Sequence, residues 1–421
     1  MSAVALLLGL LVLSYVGSML VSDRTIRGFG LPSGAEYLLL GFVLGPHALG
    51  VLGRSLVSAF EPVLIVGVSW VALVLGVGYG QIGSRRLRLS RALSGIAFSA
   101  FVAAGVAGIT FVALLEGSEL GLAERLLVSG AAGAVSCETT RHAVRWVAER
   151  HGSRGELSEL LADLSRTSVF VPAAVFGVLF AAAPGQELGA TPVSLRVGIT
   201  LGLGVVLGLV ATLLLGREFR RDESWGILLG TSLLAIGVTA RLGLSPIAAA
   251  FAMGLTVSTF SPHRADLKAM VAPSERPVMV PVAVLAGAYL DLEAAPFLWL
   301  LVGAAFAARL ILDLLRAGVL ALIVPQARAA GPALGLGLVP SSAFTLGCGL
   351  LAAIRIPGAV GGSVLVLAAA SVLAGELIGP LSLRRALERA GDIVPGRPFE
   401  QPPPSIEPRA SRTTLYDVER S

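Results

Sequence analysis

The sequence is short of charge. Of its 421 residues, 14% are Asp, Glu, Lys or Arg, whereas soluble domains carry about 25%. A soluble chain of this length divides into two or three domains with polar surfaces. The charges needed to cover those surfaces are missing, which argues against a soluble enzyme and for an integral membrane protein. Cysteine is nearly absent. Cys137 and Cys348 both lie in apolar stretches, so there is no disulfide framework and no metal-ligand spacing, and both read as small packing residues. Lysine is reduced to Lys268. There is no nucleophile with a histidine partner, no metal motif, no P-loop, and no strand followed by G-x-G-x-x-G. No enzymatic chemistry, cofactor or nucleotide-sensing module is expected.

What the chain has is apolar length. Hydrophobic residues make up 55% of it, with 51 glycines, and the mean hydropathy is +0.83. Abundant glycine with few aromatics suits helices packed closely through small residues. A spanning helix needs roughly 20 apolar residues. Thirteen stretches qualify, near 3–22, 35–53, 60–80, 93–115, 122–148, 156–182, 192–215, 223–241, 245–260, 276–292, 296–322, 331–355 and 359–383. The first runs into Asp23 and Arg24 with no charged n-region or small-residue cleavage pattern, so it reads as a retained span rather than a signal peptide.

Loop charge sets the expected orientation. With the N-terminus outside, the inward loops hold Arg24 and Arg27; Arg85, Arg86, Arg88 and Arg91; Arg141, Arg145, Arg150 and Arg154; Arg217, Arg220 and Arg221; Arg264, Lys268 and Arg276; Arg328; and Arg384, Arg385 and Arg389. Outward loops hold mostly single basic residues, with Glu116, Glu119, Glu124, Glu187, Asp291 and Glu293. The bias alternates through every loop, as the positive-inside rule requires. It also accounts for the net charge of +5 without nucleic acid. Residues 1–390 therefore read as one transmembrane unit, and 391–421, rich in Pro, Ser and Arg, as a disordered cytoplasmic tail.

Two spans are interrupted. Span 5 carries Ser136, Cys137, Glu138, Thr139 and Thr140 at its middle. Span 12 carries Val339, Pro340, Ser341 and Ser342, and Pro340 removes a backbone hydrogen bond. The two lie seven spans apart, an odd offset that reverses orientation. This predicts an all-α inverted repeat, spans 2–6 against 9–13, with discontinuous helices 5 and 12 meeting near the membrane midplane.

Four segments now carry a resemblance. Gly41 to Gly50, with Gly45-Pro46-His47, looks like the glycine-rich segment of monovalent cation:proton antiporters. Gly243-Leu-Ser245-Pro246 through Phe251 to Gly254 is similar to a second family segment. Val282 to Leu292, with Gly287 and Asp291, is similar to a third. Glu376-Leu-Ile-Gly379-Pro380 followed by Arg384 and Arg385 resembles the final span. The resemblance implies a six-helix core domain beside a dimerising domain, and exchange of Na⁺, K⁺ or Li⁺ for H⁺ by alternating access. It also implies a homodimer in the cell (inner) membrane. Thr139-Thr140 corresponds to the family's pair at the span 5 break, and Arg309 to its basic residue in span 11, usually Lys. The family's mid-span carboxylate in span 6 falls by counting near Thr167 and Ser168, where there is none; Asp163 lies more than one turn earlier.

The intramembrane charges are Glu138, Asp163, Arg166, Arg309, Asp313 and Glu376. Each costs on the order of 2.5–3.5 kcal/mol in hydrocarbon and should face protein or water. A rise of about 1.5 Å per residue puts Arg166 about 15 Å into span 6, at the depth of Glu138 and Arg309. Asp163–Arg166 and Arg309–Asp313 have pairing spacings, while Asp313 and Glu376 read as structural and His47 as a turn or interface residue. Glu138 is the first choice for an ion- and proton-binding group, with Asp163 the second. The hydroxyls of Thr139 and Thr140 would complete a cation shell, and Arg166 or Arg309 would compensate the carboxylate's charge. The alternative is a transporter of the same fold with an anion substrate, or a transport-inactive scaffold or sensor.

Overall fold

The computed structural model describes residues 34–79, 89–182, 191–216, 221–291, 295–356 and 358–393. The expected span 3–22, the tail from 394, and the loop arginines Arg24, Arg27, Arg85, Arg86, Arg88, Arg217 and Arg220 lie outside the described residues. Among the described residues the chain is helical without a strand. The first half comprises α1 (Ala35–Leu44), α2 (Arg54–Ala59), α3 (Glu61–Tyr79), α4 (Leu89–Gly117), α5 (Leu122–Ser136), α6 (Arg141–His151), α7 (Glu156–Ser168) and α8 (Phe170–Ala182). Two linking helices follow, α9 (Val193–Leu215) and α10 (Arg221–Arg241). The second half comprises α11 (Pro246–Phe260), α12 (Arg264–Val271), α13 (Glu275–Tyr289), α14 (Pro296–Ile323), α15 (Pro325–Ala330), α16 (Pro332–Gly337), α17 (Ala343–Arg355) and α18 (Ala359–Arg389).

Among the described residues, eight stretches are long and apolar enough to cross a membrane: α3, most of α4, α7 continued by α8, α9, α10, α12 continued by α13, α14 and α18. The helices α1, α11 and α17 are apolar but shorter. Span 2 was expected to run over 35–53 and is helical only to Leu44. Gly45-Pro46 ends it, because a proline excludes the helical conformation of the residue before it. Its repeat partner, α11, is short for a related reason: Pro246 opens it at the first helical position and Ser245 caps it.

The inverted repeat is written in glycines. Helices α1 and α13 touch at Gly41 and Gly287. A Cβ on Gly41 would overlap the carbonyl of Val284, and one on Gly287 the carbonyl of Leu38. The repeat-related pair α3 and α11 touches at Gly76 and Gly254 in the same reciprocal way, against Phe251 and Leu73 carbonyls. A third pair follows suit. Gly133 of α5 lies on Ala103 of α4, and Gly335 of α16 lies on Asp313 and Leu314 of α14. Backbones approach this closely only where no side chain intervenes.

The packing forms two groups. Helices α1, α3, α9, α10, α11 and α13 form a panel, and α4–α8 with α14–α18 form a bundle. Leu213, Leu234, Leu300 and Leu322 are exposed, the outward apolar surface a bilayer covers. Helix ends gather on two faces. On one, Ser158 N–H donates to Asp392 Oδ2 (2.7 Å), Arg154 N–H to Asp392 O (3.0 Å), and Gln326 Nε2 to Glu156 Oε2 (2.6 Å). On the other, Arg54 pairs with Asp291 (2.7 Å), Arg355 with Glu61 (2.8 Å), and His47 Nε2 lies 2.9 Å from Leu290 O. These faces are the two sets of loops that the arginine bias separates.

Candidate site at the crossing of two broken helices

Helix α5 stops at Ser136 and α6 starts at Arg141. The Cys-Glu-Thr-Thr stretch between them carries two threonines whose hydroxyls bond backbone instead. Thr140 turns extended and its Oγ1 accepts from His142 N–H (3.3 Å), capping α6. In the second repeat α16 stops at Gly337 and α17 starts at Ala343, with Pro340 in the gap. The two gaps cross and bond to each other. Thr140 N–H donates to Pro340 O (2.7 Å), and Thr139 Oγ1 donates to Leu338 O (2.7 Å). Helix α18 closes over Pro340 through Gly375 and Gly379, where any side chain would collide with the proline. Glu376 is buried between those glycines.

Breaking two helices leaves carbonyls without intrahelical donors. Arg309, fully buried on α14 at 0% exposure, supplies the donors. Its Nη2 bonds both Glu138 O (3.1 Å) and Val339 O, one carbonyl from each gap. Arg316, seven residues on along the same face, donates from Nη2 to Thr139 Oγ1 (2.8 Å). Asp313 lies between them, 3.0 Å from Arg316 Nη2 and 3.8 Å from Arg309 Nε. A ladder of fixed charges on α14 thus neutralises the negative ends of the two half-helices.

The Glu138 carboxylate is 4% exposed and takes no part in this ladder. Its Oε2 accepts from Ser342 Oγ at 2.6 Å. Ser342 holds the N-cap position of α17 without capping it. Glu138, Thr140 and Ser342 line a small cavity of about 40 Å³ with Tyr79, Arg141, His142, Ser165, Arg166, Lys268 and Glu275. Arg141 and His142 both bond Glu275, His142 Nε2 at 3.0 Å. Lys268 of α12 and Arg141 of α6 contribute to its wall.

Several expected roles are redrawn by these positions. Asp163 and Arg166 do not pair with each other. Asp163 turns to α4 and meets Arg91 at 3.4 Å, while Arg166 is exposed and lines the cavity. Asp163 is not among the side chains lining that cavity. Arg309 addresses the backbone carbonyl of Glu138 rather than its carboxylate, because the gap presents unpaired carbonyls at that depth. Thr139 is turned toward Leu338 and Arg316, and Thr140 is engaged as a cap. The oxygens of Ser136 and Ser341 are buried with no hydrogen-bond partner among the described residues. The count that led to Thr167 and Ser168 does reach the crossing: Ser168 Oγ lies 3.1 Å from Thr139 O and 3.4 Å from Thr139 N. A neutral hydroxyl stands there in place of a carboxylate. Sequence reasoning missed Arg316. The i, i+4, i+7 run Arg309–Asp313–Arg316 was the available signal for it.

The fold and the crossing define a class: an all-helical membrane protein of inverted repeats, whose two broken helices meet around a buried carboxylate. No protein-family model matches the chain, and no curated protein sequence matches it. Among solved structures it is similar to the sodium/proton antiporter MjNhaP1 of Methanocaldococcus jannaschii at pH 8. The TM-score is 0.61 at 17% identity, over 92% of this chain and 97% of that one. The chain has the sodium/proton antiporter fold.

Proposed function

We propose that this protein is a secondary active transporter that exchanges a monovalent cation for a proton at Glu138 by alternating access. The observation that supports it most is one carboxylate, buried at the crossing of two broken helices, hydrogen-bonded by Ser342 and facing an open cavity. A carboxylate so placed has oxygen for either a proton or a cation, and the two compete for one negative charge. Its neighbours are fixed. Asp313 is held by Arg309 and Arg316, Asp163 by Arg91, and Glu275 by Arg141 and His142. Arginine does not release its proton.

With Glu138 ionised, Arg309 and Arg316 face Asp313 and Glu138, with Glu376 also buried beside Pro340. A proton or a monovalent cation on Glu138 leaves the same net charge. One-for-one exchange therefore moves no net charge across the membrane. The same reading puts the protein in the cell membrane as a homodimer, with its N-terminus outside and the arginine-rich loops in the cytoplasm. One observation favours the second reading, an anion carrier of the same fold: the cavity wall is basic. Proton flux into proteoliposomes, driven by gradients of Na⁺, K⁺, Li⁺ and a panel of anions, separates the two. The exchange reading expects cation-driven flux insensitive to a clamped potential. Flux driven by anions and indifferent to cations would contradict it.

A further inference from the structure

The boundary between the panel and the bundle is built differently from the packing inside either. Within each body a glycine lies on backbone, as Gly254 does on Leu73 and Gly133 on Ala103. Across the boundary the close approaches are to side chains. A Cβ on Gly347 of α17 would meet Val68 of α3 and Val282 of α13, and one on Gly177 of α8 would meet the Ala248 methyl of α11. Apolar contact is non-directional, so this surface sets no register of its own. Ion pairs at its two ends do. Glu275, the first residue of α13, is bonded by Arg141 and by His142 Nε2 (3.0 Å) at the start of α6. Glu61, the first residue of α3, accepts from Arg355 Nε (2.8 Å) at the end of α17. Helices α3 and α13 are repeat-related, and α6 and α17 are the second halves of the two broken helices. One arrangement is thus made twice, in opposite orientation. Arg141 also lies against Gly78, at the far end of α3 from Glu61, so the two pairs are roughly 25 Å apart by helical rise. The Arg355 guanidinium is set from its own body, 4.9 Å from the Phe180 ring of α8.

We propose that Glu61 and Glu275 are positioning residues, two repeat-related latches that hold the bundle on the panel in the register that sets Glu138 beside Tyr79. Both pairs join the same two bodies. A shift of the bundle along the panel by one helical turn, about 5.4 Å, therefore breaks both together, because charge-assisted hydrogen bonds do not stretch that far. The apolar surface between them offers little resistance to the shift, so the ion pairs weigh one register against the next. Their weights differ: Glu275 holds two partners and Glu61 holds one. The latch itself rests on the ion pairs; only its bearing on transport rests on the exchange reading.

The test is a double electron–electron resonance distance measurement on the full chain in lipid nanodiscs, diluted with unlabelled protein. Nitroxides are placed on Leu229→Cys of α10 in the panel and Leu300→Cys of α14 in the bundle, both exposed, while Cys137 and Cys348 are buried. The chain without latch substitutions should show one dominant separation. Glu61→Gln should raise the population of a second separation roughly two- to fivefold, and Glu275→Gln, which loses two bonds, should raise it further. Glu61→Arg with Arg355→Glu rebuilds the outer pair with its charges exchanged and should return the original distribution. Melting curves check that each variant is folded; if Glu275→Gln is not, Glu61→Gln and the exchanged pair carry the test. A distribution unchanged by the substitutions overturns the proposal, and so does a shift that the exchanged pair fails to reverse. In proteoliposomes Glu61→Gln should change the maximal rate of cation-driven proton flux and leave the apparent cation affinity nearly unchanged. A changed affinity at an unchanged maximal rate would make Glu61 a ligand rather than a latch. Wild type without cation-driven flux, but with the distance shift intact, would remove the exchange reading and leave the latch standing.

Discussion

Ser342 holds a helix N-cap position yet gives its hydroxyl to Glu138. An ordinary cap serine replaced by alanine costs about 1 kcal/mol of stability. Here the cap bond is absent, so Ser342→Ala should act through the lost hydrogen bond to Glu138 and alter the apparent cation affinity. A full cap-sized loss of stability with unaltered transport would contradict the assignment. Arg309 predicts the reverse pattern. Its guanidinium alone answers carbonyls from both gaps, and Asp313 lies beside it. Arg309→Met should destabilise the protein by roughly 3–5 kcal/mol, because it leaves buried groups unpaired. Denaturation in detergent measures this, and a loss below about 1 kcal/mol would show the clamp to be dispensable.

At the scale of elements, the glycine contacts decide which helices meet. A Cβ on Gly287 would strike the carbonyl of Leu38, and one on Gly254 that of Leu73. Backbone cannot yield as a flexible side chain does, so Gly254→Ala and Gly287→Ala should each destabilise by about 1–3 kcal/mol. Gly198 and Gly202 face open space on α9, and alanine there should be neutral; equal loss at both kinds of site would remove the packing argument. Both helix breaks are legible in the sequence, since Pro340 forbids a helix and Ser136–Thr140 interrupts an apolar run. The shortness of α1 is legible afterwards in Gly45-Pro46, but the apolar residues beyond it mimic a longer span. The partners of charged residues are not legible. Asp163 has Arg166 at a pairing distance in sequence and Arg91 on another helix, and local spacing carries no information about the second. For the same reason Arg309 can be placed at the right depth without revealing that it bonds carbonyls.

For the whole molecule, alternation of loop charge and the gathering of helix ends describe the same two faces. Cysteine-specific labelling tests their sidedness, because Cys137 and Cys348 are buried and silent. Glu119→Cys should label from outside the cell and Arg154→Cys from the cytoplasm. Labelling of both from one side would sink the topology and the inverted repeat with it. The layer of fixed charge on α14, the crossed gaps and the cavity depend on that repeat, since only opposite orientation brings α5 and α16 end to end at one depth. Most of the architecture follows from apolar length and loop charge, which are additive along the chain. The site depends on which faces turn inward, a property of tertiary packing.

The central claim is that Glu138 is the group whose charge changes during exchange. Glu138→Gln keeps the shape and a partner for Ser342 but has no proton to give up. In proteoliposomes the account predicts that this variant folds, melts within a few degrees of wild type, and carries no cation-driven proton flux. A folded Glu138→Gln protein exchanging at the wild-type rate, with the wild-type dependence on pH, would contradict it.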